Sequence, residues 1–280
     1  MRRRLRGLFF TAMAGLAVIF GSPATAADSK PVRIVSINLC ADQLLLLLAE
    51  PDHIQSLSYY ALDPDESYFA SQAKGFHINH VTADEVLALE PDLVLAGVYT
   101  QRSTVDLLKR MGVRVVVLGE PTTLSEVRAK FREVADMLGA RPRAERLLAE
   151  MTRRLDAVAS QRKEKNSLAV IYFANGLTAG KGTLTDDVMR HAGIENLATR
   201  LGIEGYGSLS LESLLAAAPD MLVLGHISPE APSLARMTLE HPAFRRLRDR
   251  IKTVALPRRI WTCWGPFTAE WVERLAEARP

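Results

Sequence analysis

Pro142–Lys165 reads PRAERLLAEMTRRLDAVASQRKEK, and the fold turns on what this segment does. It has no glycine, and its one proline stands at the first position, where a helix tolerates one because that N–H has no intrahelical partner. Leu147, Leu148, Met151, Leu155 and Val158 recur at steps of three and four, with arginine and glutamate on the other faces, the pattern of an amphipathic helix. At about 1.5 Å per residue it makes a rod of about 36 Å, longer than an average globular helix. Two readings follow: one more surface helix in an α/β domain, or a strut between two lobes. The flanking sequence separates them.

Thr82–Gly97, TADEVLALEPDLVLAG, aligns without a gap to Ser210–Gly225, SLESLLAAAPDMLVLG. Each copy has a hydroxyl residue placed to cap a helix, an acid in the first turn, a Pro-Asp break, an apolar strand and a glycine. The copies lie on opposite sides of the long helix. Around them, strands at Val32–Ser36, Ile54–Tyr60, Leu93–Ala96 and Val113–Leu118 alternate with helical stretches, including a capped helix over Leu124–Leu138 that stops at Gly139. The alternation resumes with strands at Leu168–Phe173, Met221–Leu224, Thr253–Leu256 and Ile260-Trp261, and helices at Thr185–Ala192, Leu211–Ala217, His241–Arg248 and Thr268–Ala278. Such alternation calls for parallel sheets covered on both faces. The expected fold is α/β: two doubly wound lobes with central, mostly parallel sheets, joined by one long α-helix. The expected boundaries are a leader at 1–26, an N-terminal lobe at 31–122, connecting helices at 123–166 and a C-terminal lobe at 167–280.

The leader is read from Arg2, Arg3, Arg4 and Arg6, the apolar run Leu8–Phe20 and the small residues Ala24-Thr25-Ala26. It predicts export with cleavage near Ala26. The formal charge is +3, and removing the four leader arginines leaves about −1, which lacks the basic footprint of a nucleic-acid binder. Cys40 and Cys263 are the two cysteines. Both a bridge in an oxidising compartment and two separate buried thiols stay open at this level.

The Arg33–Ser36 strand, the acid-to-Pro-Asp segments on either side of the long helix, the Gly180-Lys181 turn and the closing Trp264-Gly265-Pro266 resemble one family. It is that of the periplasmic substrate-binding proteins of ABC importers for iron-siderophore, haem and cobalamin ligands. The resemblance covers nearly all of the chain after the leader. It implies two α/β lobes with a ligand held between them, limited closure, a monomer, no cofactor and an inner-membrane permease as partner. It also implies that one acid per lobe docks onto the permease. These fall on Asp84 and Glu212, each seven residues before its Pro-Asp, with Asp84 one methylene shorter than the glutamate usual there and Glu85 adjacent. Acids at those helix starts also complement the helix dipole, a role that excludes nothing.

Ligands of such importers are large and flat-faced, so their clefts need aromatic rings and a few convergent donors. Aromatics are 6% of this chain, yet they recur near strand ends. Tyr59, Tyr60, Tyr99, Arg102, Lys181, Tyr206, Trp261 and Trp264 are the expected ligand contacts. An iron-siderophore complex is the first expectation, with cobalamin or haem as the alternative. Gly176–Thr183, GLTAGKGT, imitates a phosphate loop but has one residue too few before Gly180-Lys181 and a glycine where the magnesium-binding hydroxyl belongs. His77 and His80 have no metal-binding partners nearby in sequence, so no metal site is expected. Ser36, Ser208 and Ser210 lack the setting of a nucleophile elbow, so binding without catalysis is expected, with an exported chelatase as the enzyme alternative.

Overall fold

The computed structural model describes residues 30–161, 166–224 and 250–280, together with Pro242 and Phe244. The leader, Gly225 and most of the expected His241–Arg248 helix lie outside these residues. The first half runs β1 (Ile34–Ser36), α1 (Leu39–Leu48), β2 (Ile54–Ser58), α2 (Ala70–Ala73), β3 (Ile78–Asn79), α3 (Ala83–Ala88), β4 (Leu93–Gly97), α4 (Arg102–Arg110) and β5 (Val115–Leu118). Two consecutive helices follow, α5 (Leu124–Met137) and α6 (Arg141–Ser160). The second half runs β6 (Ser167–Tyr172), β7 (Leu177–Ala179), α7 (Leu184–His191), β8 (Ile194–Asn196), α8 (Leu197–Arg200), β9 (Tyr206–Ser208), α9 (Leu211–Ala217), β10 (Met221–Leu224) and β11 (Lys252–Ala255), and it closes with α10 (Thr268–Ala278).

The N-terminal sheet has strand order β3-β2-β1-β4-β5 and the C-terminal sheet β11-β10-β6-β8. All pairings in both sheets are parallel, while β7 and β9 form a separate antiparallel pair. Alternate residues of each strand face opposite helical layers, as the strand period of two requires. In the first sheet Ile34, Leu93 and Leu95 pack with Leu45 of α1, whereas Val35, Val94 and Ala96 pack with Val86 of α3 and Leu108 of α4. In the second, Ala169, Ile171, Met221 and Val223 face α6 and α7, and Val170, Tyr172 and Leu222 face α9.

The repeat is preserved in three dimensions. β4 pairs with β1 as β10 pairs with β6, and the next strand out is β5 in one sheet and β11 in the other. Val86 packs in the layer with Val94, and its counterpart Leu214 packs with Leu222. Glu90 and Ala218, each before the proline, both take positive φ, 46° and 41°. The helical region is disfavoured ahead of a proline, so the chain leaves each helix through a left-handed residue. The aspartates then act alike. Asp92 Oδ2 accepts from Val32 N at 2.9 Å and Arg33 N at 3.1 Å, and Asp220 Oδ2 accepts from Leu168 N at 2.8 Å. Each Pro-Asp therefore ties the start of its strand to the start of the neighbouring one.

The caps differ. Ser210 Oγ accepts from Ser213 N at 3.1 Å, but Thr82 makes no such bond and its hydroxyl pairs with Asp84 instead. Other boundaries also move. The β2 strand stops at Ser58, with Tyr59–Leu62 forming a 3₁₀ turn. Arg258–Ile260 is another such turn rather than a strand. Helix α4 begins at Arg102, three residues past Tyr99.

Helix α6 ends at Ser160, so its 20 residues span about 30 Å, and the 162–165 tail lies outside the described residues. Gly139, at φ 67°, separates it from α5. Ala144, Leu148, Met151, Leu155 and Val158 are its buried residues, Ala144 taking the place expected of Leu147. Burying each of the four large ones stabilises by about 1.5–3 kcal/mol at most, far more than exposed pairs such as Glu150–Arg153. That buried stripe is continuous with α5, α7, α10 and the C-terminal sheet, and through Leu44 and Leu48 with α1 of the N-terminal half. The long helix is one member of a helical layer, not a free-standing rod.

Candidate functional site

Parallel strands deliver their following loops to one edge of a sheet, and ligands of such folds gather there. Two cavities open at that edge of the N-terminal sheet. The first, of about 960 Å³, is lined by residues just beyond β1, β2 and β4, among them Ile37, Tyr59, Tyr60, Tyr99 and Gln101. It also takes in Asp63, Glu66, His80, Thr82 and Asp84. The second, of about 560 Å³, lies between the two halves. Gly97, Leu118, Glu120 and Thr122 line it from one side, and Gly182–Thr185, Tyr206, Trp261, Trp264 and Trp271 from the other. Asn38, Leu39, Tyr99 and Arg258 line both.

Asn38 is placed by local necessity. Its Oδ1 caps α1, accepting from Cys40 N at 3.0 Å and Ala41 N at 3.2 Å. A Cβ on Gly97 would lie 2.5 Å from Asn38 Nδ2, so the glycine ending β4 makes room for this cap. Two residues past Asn38, Cys40 is disulfide-bonded to Cys263, Cα–Cα 5.1 Å, and both sulfur-bearing residues line the second cavity. The pairing the sequence left open is thus made, and it joins α1 to the segment before α10.

Six of the eight expected contacts line these cavities. Tyr59 and Tyr60 have ring centroids 4.0 Å apart, and Tyr59 stacks on His80 at 5.9 Å. His80 in turn pairs through Nδ1 with Glu85 at 3.0 Å. Tyr99 is 81% exposed and reaches both cavities. Trp261 packs against Phe173 at 5.2 Å, and Trp264 is nearly buried. Arg102 and Lys181 stand apart. Arg102 is exposed in the first turn of α4, and Lys181 ion-pairs with Glu204 at 3.7 Å on the surface; neither is a lining residue. Asp84 lines the first cavity and Glu212 does not. His77 contacts Ser56 at 3.3 Å, and among the described residues no three His, Cys, Asp or Glu side chains group as a metal site.

Asn38, Glu66, Glu120, Arg258 and Trp271 line the cavities without having been singled out in the sequence. Of these only Arg258 left a trace, as a basic residue beside the Trp261–Trp264 cluster. The walls are acidic. Asp63, Glu66, Asp84 and Glu120 line the cavities along with one arginine, Arg258, which pairs with Glu66 at 2.7 Å. Partial loss of solvent raises the Glu120 carboxyl. Desolvation likewise raises the Tyr206 phenol, the charges of Glu120 and Tyr99 add to it, and a hydrogen bond with Thr185 opposes it. A hydrogen bond from Thr82 and backbone N–H groups hold the Asp84 carboxyl below its ordinary value, so it stays ionised. Aromatic faces with carboxylate acceptors suit a large flat ligand that brings its own donors.

Residues 34–253 match the family profile described as "Periplasmic binding protein". A "Cobalamin-binding protein" of Halobacterium salinarum is 27% identical over 206 residues, 72% of this chain. The chain spans 56% of that curated relative's length. Among solved structures, a periplasmic haem-binding protein of Pseudomonas aeruginosa is 25% identical with TM-score 0.71, covering 89% of this chain and 92% of that one. A possible iron-binding, periplasmic solute-binding protein of Staphylococcus epidermidis has TM-score 0.73 at 20% identity, covering 89% of this chain and 99% of that one. At that identity the second likeness speaks for the fold alone.

Proposed function

We propose that this chain, which belongs to the periplasmic binding protein family, binds a corrinoid in the two joined cavities and delivers it to an inner-membrane ABC permease. The charge of the walls carries this reading. Four carboxylates and one paired arginine disfavour multiply charged anions such as catecholate or citrate iron complexes and the paired propionates of haem, while leaving room for a single negative charge at the arginine. A corrinoid instead offers peripheral amides that donate to carboxylates and a macrocycle that lies on aromatic faces. The iron-siderophore expectation narrows accordingly to uncharged or cationic hydroxamate complexes. The cobalamin-binding relative supports the same direction.

On this reading the two sheets are the centres of lobes at 31–122 and 167–280, with 123–166 carrying the connecting helices. The leader is removed near Ala26, and the chain works as a periplasmic monomer without a cofactor. Asp84 and Glu212 meet the permease.

All three tryptophans of the chain line the second cavity, so their emission reports on its occupancy. Purified protein is titrated with cyanocobalamin, haemin, a ferric catecholate and a ferric hydroxamate. Saturable quenching by cyanocobalamin, and by neither anionic chelate, is expected. Binding of haemin or the catecholate in place of cyanocobalamin would overturn the corrinoid reading, and binding of the hydroxamate alone would return the ligand to the siderophore class.

A further inference from the structure

The two cavities differ in chemistry and meet at a waist that holds their arginine. The larger carries Asp63, Glu66 and Asp84, while the smaller is walled by the three tryptophans and Tyr206. Arg258 lines both. Its Nη2 is held by Glu66 at 2.7 Å, and Thr262 Oγ1 bridges the arrangement, 3.3 Å from Glu66 Oε2 and 2.8 Å from the Arg258 carbonyl. Its Nε is buried and finds no acceptor among the described residues. A guanidinium has five donors in a planar fork, and the Glu66 contact leaves several of them unused. Nε is covered by protein, so a ligand meets only the outer part of the fork, in a side chain 41% exposed, where it adds an acceptor beside the Glu66 contact.

We infer that Arg258 selects ligands built in two parts, with an anionic link at the waist. A donor-rich body lies in the acidic cavity, a flat aromatic tail lies among the tryptophans, and the link between them accepts from Arg258. Within the corrinoid class, on which this inference rests, that description separates the complete molecule from its precursor form. The nucleotide loop of a complete corrinoid supplies a phosphodiester and a terminal aromatic base; a cobinamide has neither. Arg258 is therefore a specificity-determining residue, and this site discriminates by the tail as well as by the ring.

Calorimetric titration of the full exported protein with cyanocobalamin and with dicyanocobinamide tests this, for wild type and for Arg258→Lys. Lysine keeps a cation facing Glu66 but lacks the planar fork. Wild type should bind cyanocobalamin at least about tenfold more tightly than cobinamide. Arg258→Lys should weaken cyanocobalamin about tenfold while moving cobinamide by no more than about threefold. Equal wild-type affinities for the two corrinoids would overturn the role of Arg258 and leave the corrinoid reading standing, and this comparison needs no variant to fold. Equal losses on both ligands in Arg258→Lys would also overturn it, since a general packing defect acts on both alike. Failure of cyanocobalamin to bind removes the corrinoid reading and the inference with it.

Discussion

Asp42 sits in α1 fully shielded from solvent, with its carboxylate accepting from Ser58 N at 2.9 Å and Ser58 Oγ at 2.5 Å. Burial raises its pKa to about 7, against the opposing pull of hydrogen bonds from Ser36 and Ser58. Its unfolded value is near 3.8, so between there and 7 the native state holds the proton that the unfolded chain releases. Stability from this group is therefore present at low pH and is lost as pH rises through that window, at no more than roughly 1.4 kcal/mol per pH unit. Asp42→Asn keeps an acceptor for Ser58 N and can donate to its hydroxyl. In urea unfolding from pH 4 to 8 it should gain on wild type as pH rises; a constant difference would refute the assignment. In the sequence Asp42 is only an acid in a first helical turn. Its burial depends on β2 crossing beneath α1, a contact between segments that a linear pattern does not record.

At the scale of elements the repeat was the most legible feature. Its helix-break-strand pattern is local, and it recurred at matching positions of two sheets with the same parallel order. The Leu93–Ala96 strand was equally visible as an unbroken apolar run, and its two faces pack on different helices. What escaped was the reach of the Pro-Asp carboxylates to Val32, Arg33 and Leu168, and the choice of Ala144 over Leu147, both set by neighbouring elements. Tyr59, Tyr60 and Tyr99 were legible because they follow strand ends, whereas Tyr206 opens β9 and Trp261 follows a 3₁₀ turn. Arg102 and Lys181 follow strand ends too, yet neither lines a cavity: Arg102 stands exposed at the start of α4, and Lys181 pairs with Glu204 on the surface. The starts of α3 and α9 test the proposed docking in unequal ways. Asp84 lines a cavity, so on the proposed docking reading reversing its charge would act on ligand binding as well as on the permease contact. Glu212→Lys is the cleaner probe. Transport in cells should fall to background while the titrated ligand affinity stays within about twofold of wild type; undiminished transport would remove Glu212 from the docking surface.

Across the whole molecule the two halves are held at several points on one side. Cys40 is bonded to Cys263, Glu66 pairs with Arg258, and Tyr68 stacks on Phe267 at 4.9 Å while donating to Glu270. Burial and the nearby Glu270 push the Tyr68 phenol up to about 12, so it remains a donor throughout the neutral range. These ties and the continuous helical layer, with α6 as one contributor, lead to the expectation of restrained lobe movement. Scattering profiles with and without ligand should differ little. Cys40→Ser/Cys263→Ser should lose about 2–4 kcal/mol of stability and show a wider apo distribution of dimensions; an unchanged distribution would mean that the noncovalent contacts suffice. The disulfide also bears on how the chain is made. Its partners stand 223 residues apart, so the first thiol emerges early and waits for nearly the entire polypeptide before it can close. Any product ending short of residue 263 carries a lone Cys40 sulfhydryl, whose thiolate can attack the disulfide of another molecule to give a mixed disulfide and release that molecule's thiolate. Closure of this one bond is therefore a chemical mark of a chain delivered whole.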